Sequence, residues 1–133
     1  FQSFNLLPSM TALENVNLPN QISGALFDDK KGIELLKSVG LKNRLNHYPH
    51  QLSGGEQQRV AIARSLITSP EILIADEPTG NLDKKNSEEV MKLIFKLQSD
   101  FASTLILVTH DETIAKQCNE TIKLDNGLII KDE

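Results

Sequence analysis

The sequence predicts an α/β fold, in which a helical first half precedes a parallel sheet. Two apolar runs, residues 71–76 and 103–109, have the length and composition of strands that are buried on both faces of a parallel sheet. Between them, apolar residues recur at helical spacing over residues 90–97. A strand, a helix and a second strand in this order are the unit from which parallel sheets are built.

The first half of the chain contains two helical patterns before residue 50. Thr11 begins a capping box, and Pro19 is expected to limit the short helix behind it, with a loop over residues 21–25. A second helix is expected from Asp28, and Gly40 stands where a C-terminal cap belongs.

A third helix is expected between Ser53 and Pro70, with a capping box formed by Ser53 and Glu56. A helix start offers unpaired N–H groups and the positive end of the helix dipole, which together form an anion site. Gly54 and Gly55 lack the Cβ atoms that would hold a phosphate away. Ser53 can cap the helix or offer its hydroxyl to the ligand, and a capping Ser-Gly-Gly by itself is weak support for a site.

The last part of the chain predicts a helix from near Asp83, a short helix over residues 112–117 and a β-hairpin. Residues 121–124 and 128–131 flank residues 125–127, whose sequence is Asp-Asn-Gly. Asn and Gly tolerate the positive φ that a tight hairpin turn requires.

Composition and charge exclude several classes of protein. Fourteen basic and eighteen acidic residues give a net charge of −4, and no cluster of Lys and Arg stands out, so nucleic acid is not the expected partner. The longest apolar runs are too short to span a membrane. Cys118 is the only cysteine, which excludes a disulfide framework and is typical of a cytosolic protein. Because the sequence begins at Phe1 rather than at a methionine, we expect a piece of a longer protein.

Three polar side chains follow the two predicted strands. Asp76 and Glu77 come just after the first strand, and the carboxyl ends of strands are where open α/β sheets bind ligands. One carboxylate there can hold Mg²⁺ through its water shell, and the other can orient a water for phosphoryl transfer. His110 ends the next strand, and on an adjacent parallel strand its imidazole would reach a terminal phosphate. Taken singly, a solvated acidic turn and a structural histidine are common alternatives.

Together, these motifs resemble the ATP-binding cassette (ABC) ATPases over essentially the whole chain. Residues 52–57 resemble the signature motif, 72–77 the Walker B strand with the adjacent catalytic glutamate, 80–83 the D-loop, His110 the switch histidine, and 1–2 the Q-loop. Five matches in the family's order are far more specific than any one of them. Within the family, the chain is similar to the lipoprotein-release and macrolide-export ATPases, with the cell-division ATPases as an alternative.

The resemblance implies a P-loop NTPase fold, of which this chain would be a fragment. It implies a Q-loop at residues 1–4, the ABC helical subdomain at 5–70, and the C-terminal part of the RecA-like parallel-sheet core at 71–133. The Walker A motif, G-x-x-x-x-G-K-[ST], is absent from the sequence. We therefore expect the 133-residue chain alone neither to hold ATP in the usual way nor to hydrolyse it. A truncated sheet leaves apolar area and an unpaired edge exposed, which predicts self-association, strand exchange or dependence on the missing segment.

The resemblance also implies roles for the site residues, with Mg²⁺ and ATP as ligands. Asp76 and Gln2 would hold the metal, Glu77 would be the general base or orient the attacking water, and His110 would contact the γ-phosphate. Asp83 would lie at the interface of a head-to-tail dimer. In that dimer the signature residues would grip the nucleotide of the second subunit; they are Ser53, Gly54, Gly55 and Gln57.

Outside the dimer, the expected partner is a transmembrane permease, with the ATPase bound peripherally at the cytoplasmic face of the cell membrane. Residues 4–19 are the expected docking surface, although their apolar side chains fit a local core equally well.

Two other classes of function compete: a soluble ABC ATPase acting on ribosomes or DNA, and a non-catalytic interaction fragment. Residues 80–83 read Gly-Asn-Leu-Asp where ribosome-associated members carry Asn-His-Leu-Asp. The segment between Gln2 and Ser53 is too short for the coiled coil of the DNA-repair relatives.

Overall fold

A computed structural model describes residues 4–80 and 82–130. In chain order, the elements are α1 (Ala12–Ile22), α2 (Asp29–Ser38), a 3₁₀ helix (Pro49–Gln51), α3 (Gly54–Leu66), β1 (Ile72–Asp76), α4 (Lys84–Asp100), β2 (Thr104–Val108), α5 (Glu112–Ala115), β3 (Lys123–Asp125) and β4 (Leu128–Ile130). β1 pairs with β2 in parallel, and β3 pairs with β4 antiparallel. The α/β class and the helical first half are therefore confirmed. None of the helices in the described ranges is long and apolar enough to cross a membrane.

Helix α1 runs past Pro19, so the prediction that this proline limits the helix is wrong. The helix continues to Ile22, and the N–H of Ser23 donates to the carbonyl of Pro19 at 3.1 Å. The physical reason is packing, since Val16, one turn before the proline, is fully buried and its burial offsets the lost backbone bond. The predicted loop over residues 21–25 therefore begins only at Ser23.

Helices α1, α2 and α3 pack around one hydrophobic core. Its fully buried side chains include Val16, Leu36, Leu41, Val60, Leu66, Ile67 and, from α4, Leu97. The capping boxes predicted at Thr11 and Ser53 are both formed, and Gly40 adopts a φ of +79° after α2. This core holds α3 in place, and with it the exposed start of that helix.

Gly32 lies where α2 packs against α1. A Cβ at this position would lie 2.6 Å from Nδ2 of Asn17 and 2.8 Å from Cδ1 of Leu13. Asn17 cannot move aside freely, because it is buried, its Oδ1 accepts from the N–H of Asp28, and its Nδ2 donates to the carbonyl of Leu13. We expect Gly32→Ala to lower the free energy of unfolding by about 1–2 kcal/mol, since overpacking outweighs the gain in helix propensity. Chemical denaturation measures the change, and an unchanged or higher midpoint would contradict it.

The sheet formed by β1 and β2 is buried on one face only. Leu105 and Leu107 pack under α4 and α5, whereas on the opposite face Ile74 is 68% exposed and Ile106 is 47% exposed. The composition of both strands is typical of burial on both faces, but a truncated sheet is expected to leave apolar area exposed, and the exposed Ile74 and Ile106 agree with that expectation. One face is exposed because helices cover only one side of these strands, and no other described element covers the second side. The self-association that we expect from this bare face stays a prediction.

The predicted hairpin near the end of the described chain is confirmed. Lys123 pairs with Ile130 and Asp125 with Leu128. Asn126 and the following glycine adopt φ values of 49° and 80°, which are the positive values that the turn was expected to need.

Candidate functional site

The carboxyl ends of β1 and β2 bring Asp76, Glu77 and His110 to one edge of the sheet, as predicted. Asp76 pairs with Val108 at the end of β1, and the N–H of Glu77 donates to the carbonyl of Val108 at 2.9 Å. Glu77 then adopts a φ of 45°, an uncommon left-handed conformation for a residue with a side chain. The N–H of Gly80 donates to the carbonyl of Glu77 at 3.2 Å, which closes a tight turn. This turn sets the direction in which the Glu77 side chain leaves the strand.

Glu77 and His110 form an ion pair across the two strand ends. Nδ1 of His110 lies 2.8 Å from Oε1 of Glu77, and the backbone N–H of His110 donates to the same oxygen at 3.1 Å. The hydrogen bond and the charge of Glu77 raise the pKa of His110, and Asp111 adds a smaller effect. The side chain of His110 is 82% exposed and that of Glu77 is 37% exposed, so a ligand can approach the pair from solvent.

We expect an NMR titration to give His110 a pKa above 6.5, and Glu77→Gln to return it toward that value. Because the pKa is raised in the folded chain, the pair stabilises the fold fully below the ordinary histidine value, and this contribution is lost as pH rises through the raised pKa. The contribution is small, since solvent screens an exposed pair. A wild-type pKa at or below 6.5 would contradict the ion pair.

A complete capping box holds the start of α3. The N–H of Glu56 donates to Oγ of Ser53 at 3.2 Å, and the N–H of Ser53 donates to Oε2 of Glu56 at 2.9 Å. Nε of Arg44 donates to the other carboxylate oxygen at 3.0 Å. The hydrogen bond from the backbone N–H of Ser53 contributes most to lowering the pKa of Glu56. The Ser53 hydroxyl therefore acts as the cap, and its own hydrogen can still be donated to a ligand.

Nothing inside the described chain requires glycine at positions 54 and 55. Neither residue has a positive φ. Within residues 4–80 and 82–130, a Cβ at Gly54 would meet no atom within 4 Å, and a Cβ at Gly55 would meet only Nη1 of Arg59, at an ordinary 3.8 Å. The helix start is thus bare backbone at the positive end of a dipole. Close approach of a group from outside the chain explains these two glycines better than internal packing does.

Gln57 and Asp83 both make hydrogen bonds inside the chain. Nε2 of Gln57 donates to the carbonyl of Pro49 at 3.0 Å, which holds the segment that precedes α3. Asp83 is the N-cap of α4, and its Oδ1 accepts from the N–H of Asn86 at 3.0 Å, the bond that contributes most to lowering its pKa. Gln2, the second expected metal ligand, lies outside the described residues.

Of the two expected metal ligands, Asp76 is the one that lies in the described ranges. Within residues 4–80 and 82–130, no three His, Cys, Asp or Glu side chains are close enough together to hold a metal ion. Mg²⁺ does not need such a cluster, because it keeps several waters and takes one or two carboxylates together with phosphate oxygens. The carboxylate of Asp76, which is exposed at the end of β1, can supply an oxygen ligand of this kind.

Two side chains of α3 reach this region without having been predicted. Nε2 of Gln58 donates to the carbonyl of Pro78, next to Glu77. The guanidinium of Arg64 donates to the backbone carbonyls of residues 4–5, at 2.8 Å each. The only signal in the sequence is that both polar residues lie in a helix with a buried face, and that signal does not say what they contact.

Comparison with known proteins agrees with these features. Residues 1–80 match the family model described as ABC transporter. The chain is 52% identical over 134 residues to the macrolide export ATP-binding/permease protein MacB of Chlorobium phaeobacteroides, and it covers 20% of that protein. It is 48% identical over 132 residues to the lipoprotein-releasing system ATP-binding protein LolD of Bacteroides fragilis, and it covers 61% of that protein. These alignments include 100% and 98% of this chain.

A solved structure shows the same fold. The ATP-binding cassette MJ0796, described as a dimer in a post-hydrolysis state bound to ADP and Pi, matches with a TM-score of 0.82 and 45% sequence identity. The match covers 100% of this chain and 60% of that one.

The fold that this chain shares with a solved ATP-binding cassette places it in the class of the P-loop NTPases. Within that class, the chain belongs to the ABC transporter family. The predicted similarity to lipoprotein-release and macrolide-export ATPases is confirmed, because relatives of both kinds match nearly the whole chain.

Proposed function

We propose that this chain is part of an ATP-binding and ATP-hydrolysing subunit that powers a membrane permease. The observation that carries the proposal is the carboxylate of Glu77, which His110 holds at the sheet edge beside Asp76. Family membership favours ATP as the phosphoryl substrate. The similarity to MacB and LolD favours a transport role over a ribosomal or DNA-directed one.

In the proposed reaction, Asp76 and Gln2 would hold Mg²⁺, and the ion would supply charge neutralisation at the phosphates. Glu77 orients a water toward the γ-phosphorus and accepts its proton as the bond to the leaving ADP oxygen breaks. His110 holds Oε1 of Glu77 at 2.8 Å and presents its ring to the γ-phosphate. The products are ADP and phosphate.

The start of α3 acts on the nucleotide of a second subunit in this proposal. Ser53, Gly54 and Gly55 offer N–H groups and a hydroxyl to that subunit's γ-phosphate, and Gln57 keeps the preceding segment in place. Asp83, at the start of α4, lies at the subunit interface. Hydrolysis removes the phosphate that both subunits grip, so the dimer can reopen.

We also propose the division of the chain that the motifs indicate. Residues 1–4 form the Q-loop, residues 5–70 the helical subdomain, and residues 71–133 the C-terminal part of the catalytic core. The permease docks near residues 4–19, which places the subunit peripherally at the cytoplasmic face of the membrane. Without a Walker A motif, the 133-residue chain by itself does not turn over ATP.

Phosphate release from ATP by the protein purified from its complete reading frame tests the proposed function. We expect Mg²⁺-dependent hydrolysis, together with ATP-dependent dimers in light scattering. The absence of both would contradict the proposal. Tight Mg-ATP binding by the 133-residue chain in a calorimeter would contradict the expectation for the isolated chain.

A further inference from the structure

Gln58 joins α3, the helix that begins in the signature motif, to the turn that carries Glu77. It lies in the second turn of α3, and its Nε2 donates to the carbonyl of Pro78, the residue after Glu77. It also lines two clefts at once. One cleft, of about 270 Å³, includes Glu77, and the other includes Ser53 and Gly55. Gln58 is therefore placed between the two parts of the proposed ATPase machinery.

The two polar atoms of the Gln58 side-chain amide, Nε2 and Oε1, differ in their hydrogen bonding. The carbonyl of Pro78 can only accept, so the atom beside it is Nε2, and Oε1 points elsewhere. That oxygen is buried and has no hydrogen-bond partner in the described part of the chain. The residue is only 7% exposed, and an unpaired acceptor at that depth destabilises a fold.

A purely structural role does not explain this amide. Methionine has a similar length and would fill the same space without burying an unpaired oxygen. What methionine could not do is donate to the carbonyl of Pro78. The bond to the Glu77 turn is therefore the feature that distinguishes glutamine from an apolar side chain at this position.

We propose that Gln58 is a positioning residue that holds the Glu77 turn against α3. In this way it links the binding of a second subunit's phosphate, at the start of α3, to the alignment of the Glu77 carboxylate. This inference rests on the proposed ATP hydrolysis. Among the described residues, the N–H of Gly80 closes the turn by donating to the carbonyl of Glu77 at 3.2 Å, and the N–H of Glu77 donates to the carbonyl of Val108 at 2.9 Å. Without Gln58, the turn loses its anchor on α3, and the Glu77 carboxylate orients water in a smaller fraction of molecules.

The test is Gln58→Met in the protein from the complete reading frame. We expect kcat to fall about 10- to 100-fold, because small misplacements of a catalytic group have effects of this size. KM for ATP should stay unchanged, since Gln58 contacts no nucleotide in the proposed site. The melting temperature should stay the same or rise, because the unpaired oxygen is gone. A residue that only supports the fold would show the opposite pattern, with a lower melting temperature and an unchanged kcat per folded molecule.

Gln98→Met is the matched control. Its Nε2 donates to the carbonyl of Ser103 at 2.6 Å, so the same amide-to-carbonyl bond is removed where β2 begins, at the opposite end of the sheet. We expect this variant to keep the wild-type kcat and to lose some stability.

Hydrogen exchange at the amides of Glu77 and Gly80 gives a readout that does not depend on activity. Exchange should be faster in Gln58→Met and unchanged in Gln98→Met. Wild-type exchange together with wild-type kcat in Gln58→Met would overturn the inference, and so would a lowered melting temperature with slower or unchanged exchange. If wild type hydrolyses no ATP, the proposed function fails, whereas faster exchange in Gln58→Met would still show the anchoring role.

Discussion

Glu77→Gln should nearly abolish ATP turnover by the complete protein while leaving ATP binding intact. The amide has the size of the carboxylate but cannot accept the proton of the attacking water, so we expect a loss of at least about 100-fold. The proposed metal-binding and signature residues are unchanged, so ATP-bound dimers should accumulate instead of reopening. Phosphate release at saturating ATP measures the first effect, and light scattering with ATP measures the second.

The matched control for this variant is Glu71→Gln. Glu71 directly precedes β1 and is exposed, so the same charge is removed at the opposite end of the same strand. Turnover should stay at the wild-type level in this control. Wild-type turnover in Glu77→Gln itself would remove Glu77 from the catalytic role, whatever the control shows.

Gly55→Asp should leave the fold intact and abolish the ATP-driven pairing of subunits. Among the described residues, the new Cβ would meet Nη1 of Arg59 alone, at 3.8 Å. A carboxylate in the first turn of α3 would even stabilise the helix by about 0.3–1 kcal/mol through its dipole. In the proposed dimer, however, that carboxylate would stand where the second subunit's γ-phosphate approaches the helix N–H groups. We expect turnover to fall at least about 100-fold, as when a donor to a developing phosphate charge is lost.

Two further glycine variants separate this effect from unfolding. Gly55→Ala adds the Cβ without the charge, so its loss of turnover should be smaller than that of Gly55→Asp. Gly32→Ala should show the reverse combination, with lower stability but normal turnover per folded molecule. If Gly55→Asp forms ATP-dependent dimers like the wild type, then the start of α3 does not grip a second subunit's nucleotide.

Local signals in the sequence predict the secondary structure and much of the site. Ser53 and Asp83 begin their helices as expected, because a cap depends only on a side chain and the N–H groups two or three residues later. Asp76, Glu77 and His110 reach one edge, because the order of strand, helix and strand sets the direction of both strands.

The Pro19 expectation and the exposure of the strands both concern burial, which is set by neighbours distant in the chain. Pro19 stays inside α1, because packing of the helix face outweighs the preference of proline for an end. The strands look fully buried in the sequence, yet Ile74 and Ile106 face solvent. Apolar composition records what a strand prefers to contact, and only the arrangement of the other elements decides whether that contact is present.

By itself, the sequence determined the family, the order of its motifs and the residue types that the chemistry needs. Those properties depend on spacing along the chain and on side-chain chemistry. Only the tertiary structure decided that Glu77 is held by His110, that Gln58 anchors the turn beside it, and that no contact among the described residues requires the glycines at the start of α3. These are contacts, or missing contacts, between residues up to 33 positions apart. They depend on how α3, β1 and β2 pack in three dimensions, which no spacing rule contains.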